Sequence, residues 1–267
     1  MLRAMVFIDF ENFDISKYNY YRAKCLEDAK SAALAAGTPV PTHVQTVVPK
    51  LDFNKIPKEV VNLLSNPHTL VKTFLFAPKP DDFLITDAKR KSTYNWITGL
   101  KNQDYFTVIE GQHVARPVAG ATMDINNPAT YYIEEKGTDV NLATHVLTKG
   151  FHNAFDTAII MSGDTDYIPV MDILNTIGKN VVVVGVKGQN LFKFKHHTDA
   201  QLMYIILRVI FLLFNSCSWG WNIYCFTVTF IIVLTICILF YQRKNARNNR
   251  HYDCRHSTNN SDFNLNI

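Results

Sequence analysis

Two acids one residue apart follow the apolar run Ala158–Met161, in the segment Ser162-Gly163-Asp164-Thr165-Asp166. A buried strand that delivers two carboxylates at its carboxyl end puts them where an open α/β sheet places its chemistry. Charges of one sign so close repel each other, and a hard divalent cation such as Mg²⁺ offsets them. Two further segments present an acid in an equivalent place. Asp9 closes the apolar run that starts at Ala4, and Asp139 opens a helical stretch after Lys136-Gly137-Thr138. Parallel strands bring their carboxyl ends to one edge, so residues about 130 to 155 positions apart can converge there. Four acids around one or two Mg²⁺ or Mn²⁺ ions form a site for phosphodiester hydrolysis. Asn12 and Ser162 are the candidates to orient a carboxylate or a phosphate oxygen. Taken singly, each acid has a structural use: Asp9 and Asp164 as helix caps, Asp139 as a first-turn partner of the helix dipole. Their meeting at one edge is what favours a metal site.

The elements that must position these acids alternate in type. Ala4–Phe10 reads as a fully buried strand and 13–36 as a helix ended by Gly37-Thr38-Pro39. Val71–Ala77 reads as a strand stopped by Pro78 and Pro80, 82–101 as a helix, and Phe106–Val114 as a strand. A helix capped by Thr138 follows, then a strand at Thr157–Ser162, a helix at 167–177, a strand at Val181–Val186 and a short strand at Leu202–Leu207. The run Val181–Val184 is β-branched without alternation, as in a strand covered on both faces. The whole predicts an α/β fold with a doubly wound, mostly parallel sheet flanked by helices. Residues 37–58 and 116–130 read as long loops outside the core.

Four segments in this order carry a family resemblance: Val6-Phe7-Ile8-Asp9-Phe10-Glu11-Asn12, Lys136-Gly137-Thr138-Asp139-Val140, Ser162-Gly163-Asp164-Thr165-Asp166-Tyr167-Ile168-Pro169, and Gly178-Lys179-Asn180-Val181. Together they resemble the NYN domain, a group of PIN-like ribonucleases that includes the LabA-like proteins. The resemblance covers roughly 3–207 and implies a PIN-like Rossmannoid domain over 1–207 that cleaves RNA with Mg²⁺ or Mn²⁺. It carries the catalytic and metal-binding acids over to Asp9, Asp139, Asp164 and Asp166, and the strand-one asparagine to Asn12. His196-His197-Thr198-Asp199 resembles the family's closing segment, which makes Asp199 a weaker candidate. Glu11 stands where a small residue is common and would either add a ligand or crowd the site.

Charge is unevenly placed. Of 27 basic and 23 acidic residues, six and two lie beyond residue 203, which leaves 21 of each before it. A neutral domain does not announce nucleic acid by bulk charge, so local patches must carry any such claim. One patch is Lys89-Arg90-Lys91 with Lys101, near Tyr94 and Trp96; the other is Lys187, Lys193, Lys195, His196 and His197, interleaved with Phe192 and Phe194. Cations with aromatics hold single strands without reading sequence. The second patch follows a strand's carboxyl end, so Lys193 and Lys195 are the predicted phosphate-binding residues and single-stranded RNA the predicted partner. A nucleotide cofactor is not expected, since the chain lacks GxxxxGK[ST] and a GxGxxG after strand one, and Ser162 is not a nucleophile elbow, which would require GxSxG. Cys25 is the sole cysteine before residue 204, which excludes a disulfide framework there and fits a reducing compartment.

The last part changes character. Within a hydrophobic stretch at 208–241, Ile223–Tyr241 runs nineteen residues without a charge, bounded by aromatics and then Arg243 and Lys244. That predicts a membrane-spanning segment anchoring a cytoplasm-facing domain, followed by a basic, Asn-rich, disordered tail at 242–267. Two other functional readings stay open: a catalytically silent RNA-binding or scaffolding module with the same fold, and a membrane-anchored adaptor whose Pro-rich loops face a protein partner.

Overall fold

The computed structural model describes residues 1–42, 44–49 and 51–203. Its strands are β1 (Leu2–Asp9), β2 (His68–Pro80), β3 (Phe106–Pro117), β4 (Tyr131–Lys136), β5 (Thr157–Met161), β6 (Asn180–Gly185) and β7 (Ala200–Met203). The helices are α1 (Phe10–Ala36), α2 (Ile56–Asn62), α3 (Ala88–Gly99), α4 (Thr138–Phe151) and α5 (Ile168–Thr176). The strands form one sheet in the order β4-β3-β2-β1-β5-β6-β7, parallel throughout except for the β3–β4 pair. The α/β fold with a mostly parallel sheet is therefore as the sequence predicts.

Successive residues of β1 serve two cores. Ala4, Val6 and Ile8 pack with Phe13 of α1, Val60 of α2 and Ile97 of α3 on one face. Met5 and Phe7 pack with Leu142 and Val146 of α4 and Met171 and Leu174 of α5 on the other. Burial on both faces explains why β1, β5 and β6 are apolar without alternation. Phe7 is fully buried, stacked on Phe74 at 5.4 Å between ring centroids and edge-on to Phe155 at 5.8 Å.

Several expectations require correction. Strand β2 runs through Pro78 and Pro80 instead of stopping before them. Its pairing with β1 ends at Phe76, opposite Asp9, so the prolines lie where β2 has a neighbour only on the β3 side. A proline is tolerated where no ladder bond is asked of it. The stretch 37–58 is not all outside the core: Leu51 and Phe53 are buried, and Ile56 begins α2 with Pro57 in its first turn, a favoured place for proline. The loop predicted at 116–130 is shorter at its start, since β3 continues to Pro117, and β4 follows the loop directly at Tyr131. Strand β4 is new. Tyr131 and Ile133 join a small cluster with Leu84 and Ala115, while Tyr132 stays exposed. Gly137, at a φ of 83°, takes the N-cap position of α4, and Thr138 is the helix's first residue instead of its cap.

Among the described residues no helix is long and apolar enough to cross a membrane. The segment 208–241 with its predicted span at 223–241, the tail 242–267, and the end of the predicted last strand at 204–207 lie outside the described residues.

Candidate metal centre

Strand β1 has β2 on one side and β5 on the other, so it marks the point where the chain's winding reverses. The crevice outside the strand ends at such a point is the natural ligand site of an open α/β sheet. Ile8 pairs with Met161, which sets Asp9 beside Ser162. Ser162 Oγ donates to Asp9 Oδ2 at 3.0 Å, and the Asn12 N–H donates to Asp9 Oδ1 at 3.2 Å as the cap of α1. Tyr167 brings in the third segment. Its hydroxyl donates to Asp139 Oδ1 at 2.6 Å and lies 3.4 Å from Asp9 Oδ2, so one phenol bridges two carboxylates that are 130 residues apart in the chain.

A cleft of about 550 Å³ opens over this arrangement, with Asp9, Asn12, Asp139 and Asp164 in its wall. Four of the predicted residues thus meet at one place. Ser162 lies beneath them, buried, and accepts from the Asp164 N–H at 3.2 Å. Asp166 is exposed and outside the cleft lining; its N–H donates to Asp164 Oδ1 at 3.0 Å, so Asp164 caps the short 3₁₀ turn Thr165–Tyr167. Lys193 and Lys195 are exposed and do not line the cleft, and the Lys195 ammonium sits over the Phe192 ring. Asp199 is at the wrong edge. Its carboxylate accepts from the Val181 N–H at 2.7 Å, at the amino end of β6.

The structure adds His113 and Glu135, which the sequence reading missed, and brings in Glu11, which that reading offered as a further ligand. Glu11, Arg90, His113 and Glu135 complete the cleft wall. Arg90 belonged to a predicted patch, but nothing local marked it as the cation that reaches the acids. His113 and Glu135 are register partners on β3 and β4, a pairing visible only once β4 is recognised. Gln189 holds the loop after β6 in place: its Nε2 donates to Asn12 Oδ1 (3.2 Å) and Ser16 Oγ (2.7 Å), while the Val186 N–H donates to its Oε1 (2.8 Å). Asn12 Oδ1 also accepts from the Gly163 N–H at 3.0 Å, so Asn12 orients the acid-bearing loop and leaves its own carbonyl fully used.

The electrostatics follow from burial. Burial pushes the Asp9 carboxyl up to about 6, against the hydrogen bonds from Asn12 and Ser162 that favour its anion. Burial, with the Glu11 carboxyl in contact, pushes Glu135 up to about 7. For Glu11 itself burial pulls upward, but the His113 hydrogen bond and charge outweigh it and the net direction is down. Burial followed by the Asp9 charge keeps the Tyr167 phenol far above its ordinary value, a permanent proton donor to the two acids. Five carboxylates against one guanidinium and one imidazole leave the cleft in need of positive charge. Carboxylate oxygens at a partly open cleft fit a hard divalent cation such as Mg²⁺ or Mn²⁺.

A pH signature follows. The folded-state value of Asp9 lies above the ordinary value, near 3.9, that an unfolded chain would show. Its contribution to stability is therefore complete below about pH 4 and is lost as pH rises through about 6. A cation that binds the ionised form reverses that loss. Mn²⁺ should raise the thermal midpoint more at about pH 7 than at about pH 5, and equal shifts would show that Asp9 is not a ligand.

Comparison with known proteins adds the following. The family model of the NYN domain matches residues 3–205. No curated protein matches the chain. Among solved structures, a Vibrio parahaemolyticus protein of unknown function is 13% identical at a TM-score of 0.42, covering 76% of this chain and 92% of its own. A pyrazinamidase/nicotinamidase from Streptococcus mutans is 12% identical at a TM-score of 0.28, covering 73% and 92%. At those scores neither likeness bears on function.

Proposed function

The chain belongs to the NYN domain family, and from that premise we propose that it is a divalent-metal-dependent ribonuclease. The observation that carries the reading is the meeting of Asp9, Asp139 and Asp164 in one cleft at the sheet's switch point, with Asp9 and Asp139 bridged by Tyr167. Asp9, Asp139 and Asp164 hold Mg²⁺ or Mn²⁺, with Asp166 as an outer acid at the same turn. A bound divalent cation lowers the pKa of water and stabilises charge developing on a phosphate.

The chain's own residues do the rest. Ser162 and Tyr167 fix the orientation of the buried Asp9 carboxylate, and Tyr167 keeps Asp139 turned toward it. Asn12 and Gln189 lock the loop that carries Asp164. Arg90, in place of the predicted Lys193 and Lys195, is the cation positioned to meet a phosphate at the acids. A second groove of about 470 Å³ shares Glu11, Arg90 and His113 with the cleft and adds Lys89, Phe10 and Tyr94. Cations beside aromatic rings suit the next nucleotides of a single strand.

The test is incubation of the full chain with a labelled single-stranded RNA in Mn²⁺, beside a chelator control. Cleavage that stops in chelator is the expected result. RNA retained but uncut at saturating Mn²⁺ would overturn the enzyme and leave a binding module.

A further inference from the structure

The wall of the cleft made by β3 and β4 is built differently from the carboxylates at the switch point. Glu11 comes from the first turn of α1, His113 from β3 and Glu135 from β4. His113 and Glu135 face each other in the antiparallel ladder. His113 Nε2 lies 3.0 Å from Glu11 Oε2, and one ligand atom from each of the three residues lies within 4.8 Å of the other two. The imidazole is only 14% exposed and the Glu11 side chain 31%, so this is no loose surface pair.

We propose that Glu11, His113 and Glu135 form a second metal site, selective for a transition-metal ion over Mg²⁺. This site goes beyond the nuclease reading and stands whether or not RNA is cleaved. An ion ~2.1 Å from a nitrogen and two oxygens holds those atoms roughly 3.4 Å apart when tetrahedral. The Glu11–His113 separation of 3.0 Å is already close to that, and Glu135 offers an oxygen within 4.8 Å of both. The ion takes the place of the hydrogen that His113 Nε2 and Glu11 now share.

Selectivity comes from the donor set. Two carboxylates and one imidazole suit Zn²⁺, Co²⁺ or Mn²⁺, whereas Mg²⁺ prefers oxygen and keeps its water. Three protein ligands also leave a position open toward the cleft, the arrangement of a site that binds substrate or water instead of a closed structural one. Arg90 lines the same wall and draws on Glu11, so the guanidinium competes with the ion for that carboxylate. The neighbouring acids Asp9, Asp139 and Asp164 more than offset its charge.

The test is titration of the full chain with Co²⁺, read by visible absorption, and with Zn²⁺, read by calorimetry. Wild type should show a cobalt band of an imidazole-ligated site that excess Mg²⁺ does not remove. His113→Ala and Glu135→Gln should each weaken Zn²⁺ binding by at least about 10–100-fold, while Asp164→Asn should leave it within a few-fold. Should His113→Ala fail to fold, the wild type still decides. The His113 imidazole resonance, assigned by nitrogen NMR, must shift on Zn²⁺ addition. An unmoved His113 resonance, or Zn²⁺ bound equally by His113→Ala, would overturn the site. Loss of RNA cleavage in Asp164→Asn with Zn²⁺ binding intact separates this site from the nuclease reading.

Discussion

Replacing Asp164 with Asn should abolish the proposed RNA cleavage while leaving the fold in place. In the proposed site the carboxylate supplies a metal-binding oxygen at the cleft, and an amide carries no charge to attract the ion. Even partners one step removed from a metal change affinity or activity by about 10–100-fold when lost, so a direct ligand should cost more than about 100-fold in rate. The structural part of the residue survives the change. Asp164 Oδ1 accepts from the Asp166 N–H at 3.0 Å, and the amide oxygen of Asn makes the same cap. The side chain is only partly buried, so stability should move by less than about 1 kcal/mol. Initial rates on labelled RNA, with denaturant unfolding run beside them, check both halves. A variant that cleaves at the wild-type rate removes Asp164 from the site.

Gly111→Ala should damage the same cleft from behind. Gly111 is buried in β3 against the corner where β4 passes into α4. A Cβ there would stand 2.1 Å from Thr138 Oγ1 and 2.9 Å from both the Lys136 carbonyl oxygen and the Thr138 nitrogen. Two of those three atoms are backbone, so no side chain can rotate away to make room. The corner must move, and it carries Glu135 on one side and Asp139 on the other. Overpacking of this kind costs about 1–3 kcal/mol or more. Mn²⁺ affinity should fall with stability, because Asp139 leaves its hydrogen bond to Tyr167. Gly99→Ala is the control: nothing lies within 4 Å of its added Cβ at the end of α3. Helix propensity there should raise stability by up to about 1 kcal/mol. Unfolding midpoints and metal titrations of both variants decide it. A Gly111→Ala protein as stable as wild type would show that the corner is not fixed by this contact.

The acids at the switch point were legible because each is announced locally. A run such as Val6-Phe7-Ile8 before Asp9, or Ile159-Ile160-Met161 before Ser162, says both that a buried strand ends and that polar groups begin. Parallel topology then does the rest. What stayed hidden depends on register or on the path of a long connection. Glu135 and His113 meet because β4 returns antiparallel on β3 after the loop 118–130, and six residues of Tyr-Tyr-Ile-Glu-Glu-Lys are a weak alternation to read alone. Leu51 and Phe53 were concealed by surrounding prolines, although two apolar residues just before a helix start are a usable sign of burial.

Lys193, Lys195 and Asp199 lie away from the acidic cleft for one physical reason. The connection after β6 leaves the acidic edge once Gln189 has bonded to Asn12, then runs to the amino end of the sheet, where Asp199 caps Val181. Following a strand's carboxyl end places only the first few residues of a connection at the site. Arg90 reaches the acids instead, from α3 on the other side of the switch point.

On the proposed reading, Asp9, Asp139 and Asp164 hold a divalent cation between them. The most direct measurement is anomalous scattering from crystals of the full chain soaked in Mn²⁺. A peak bounded by those three carboxylates beneath the Arg90 wall is expected, distinct from any peak at Glu11, His113 and Glu135. A map with no peak between Asp9, Asp139 and Asp164 at saturating Mn²⁺ would contradict it.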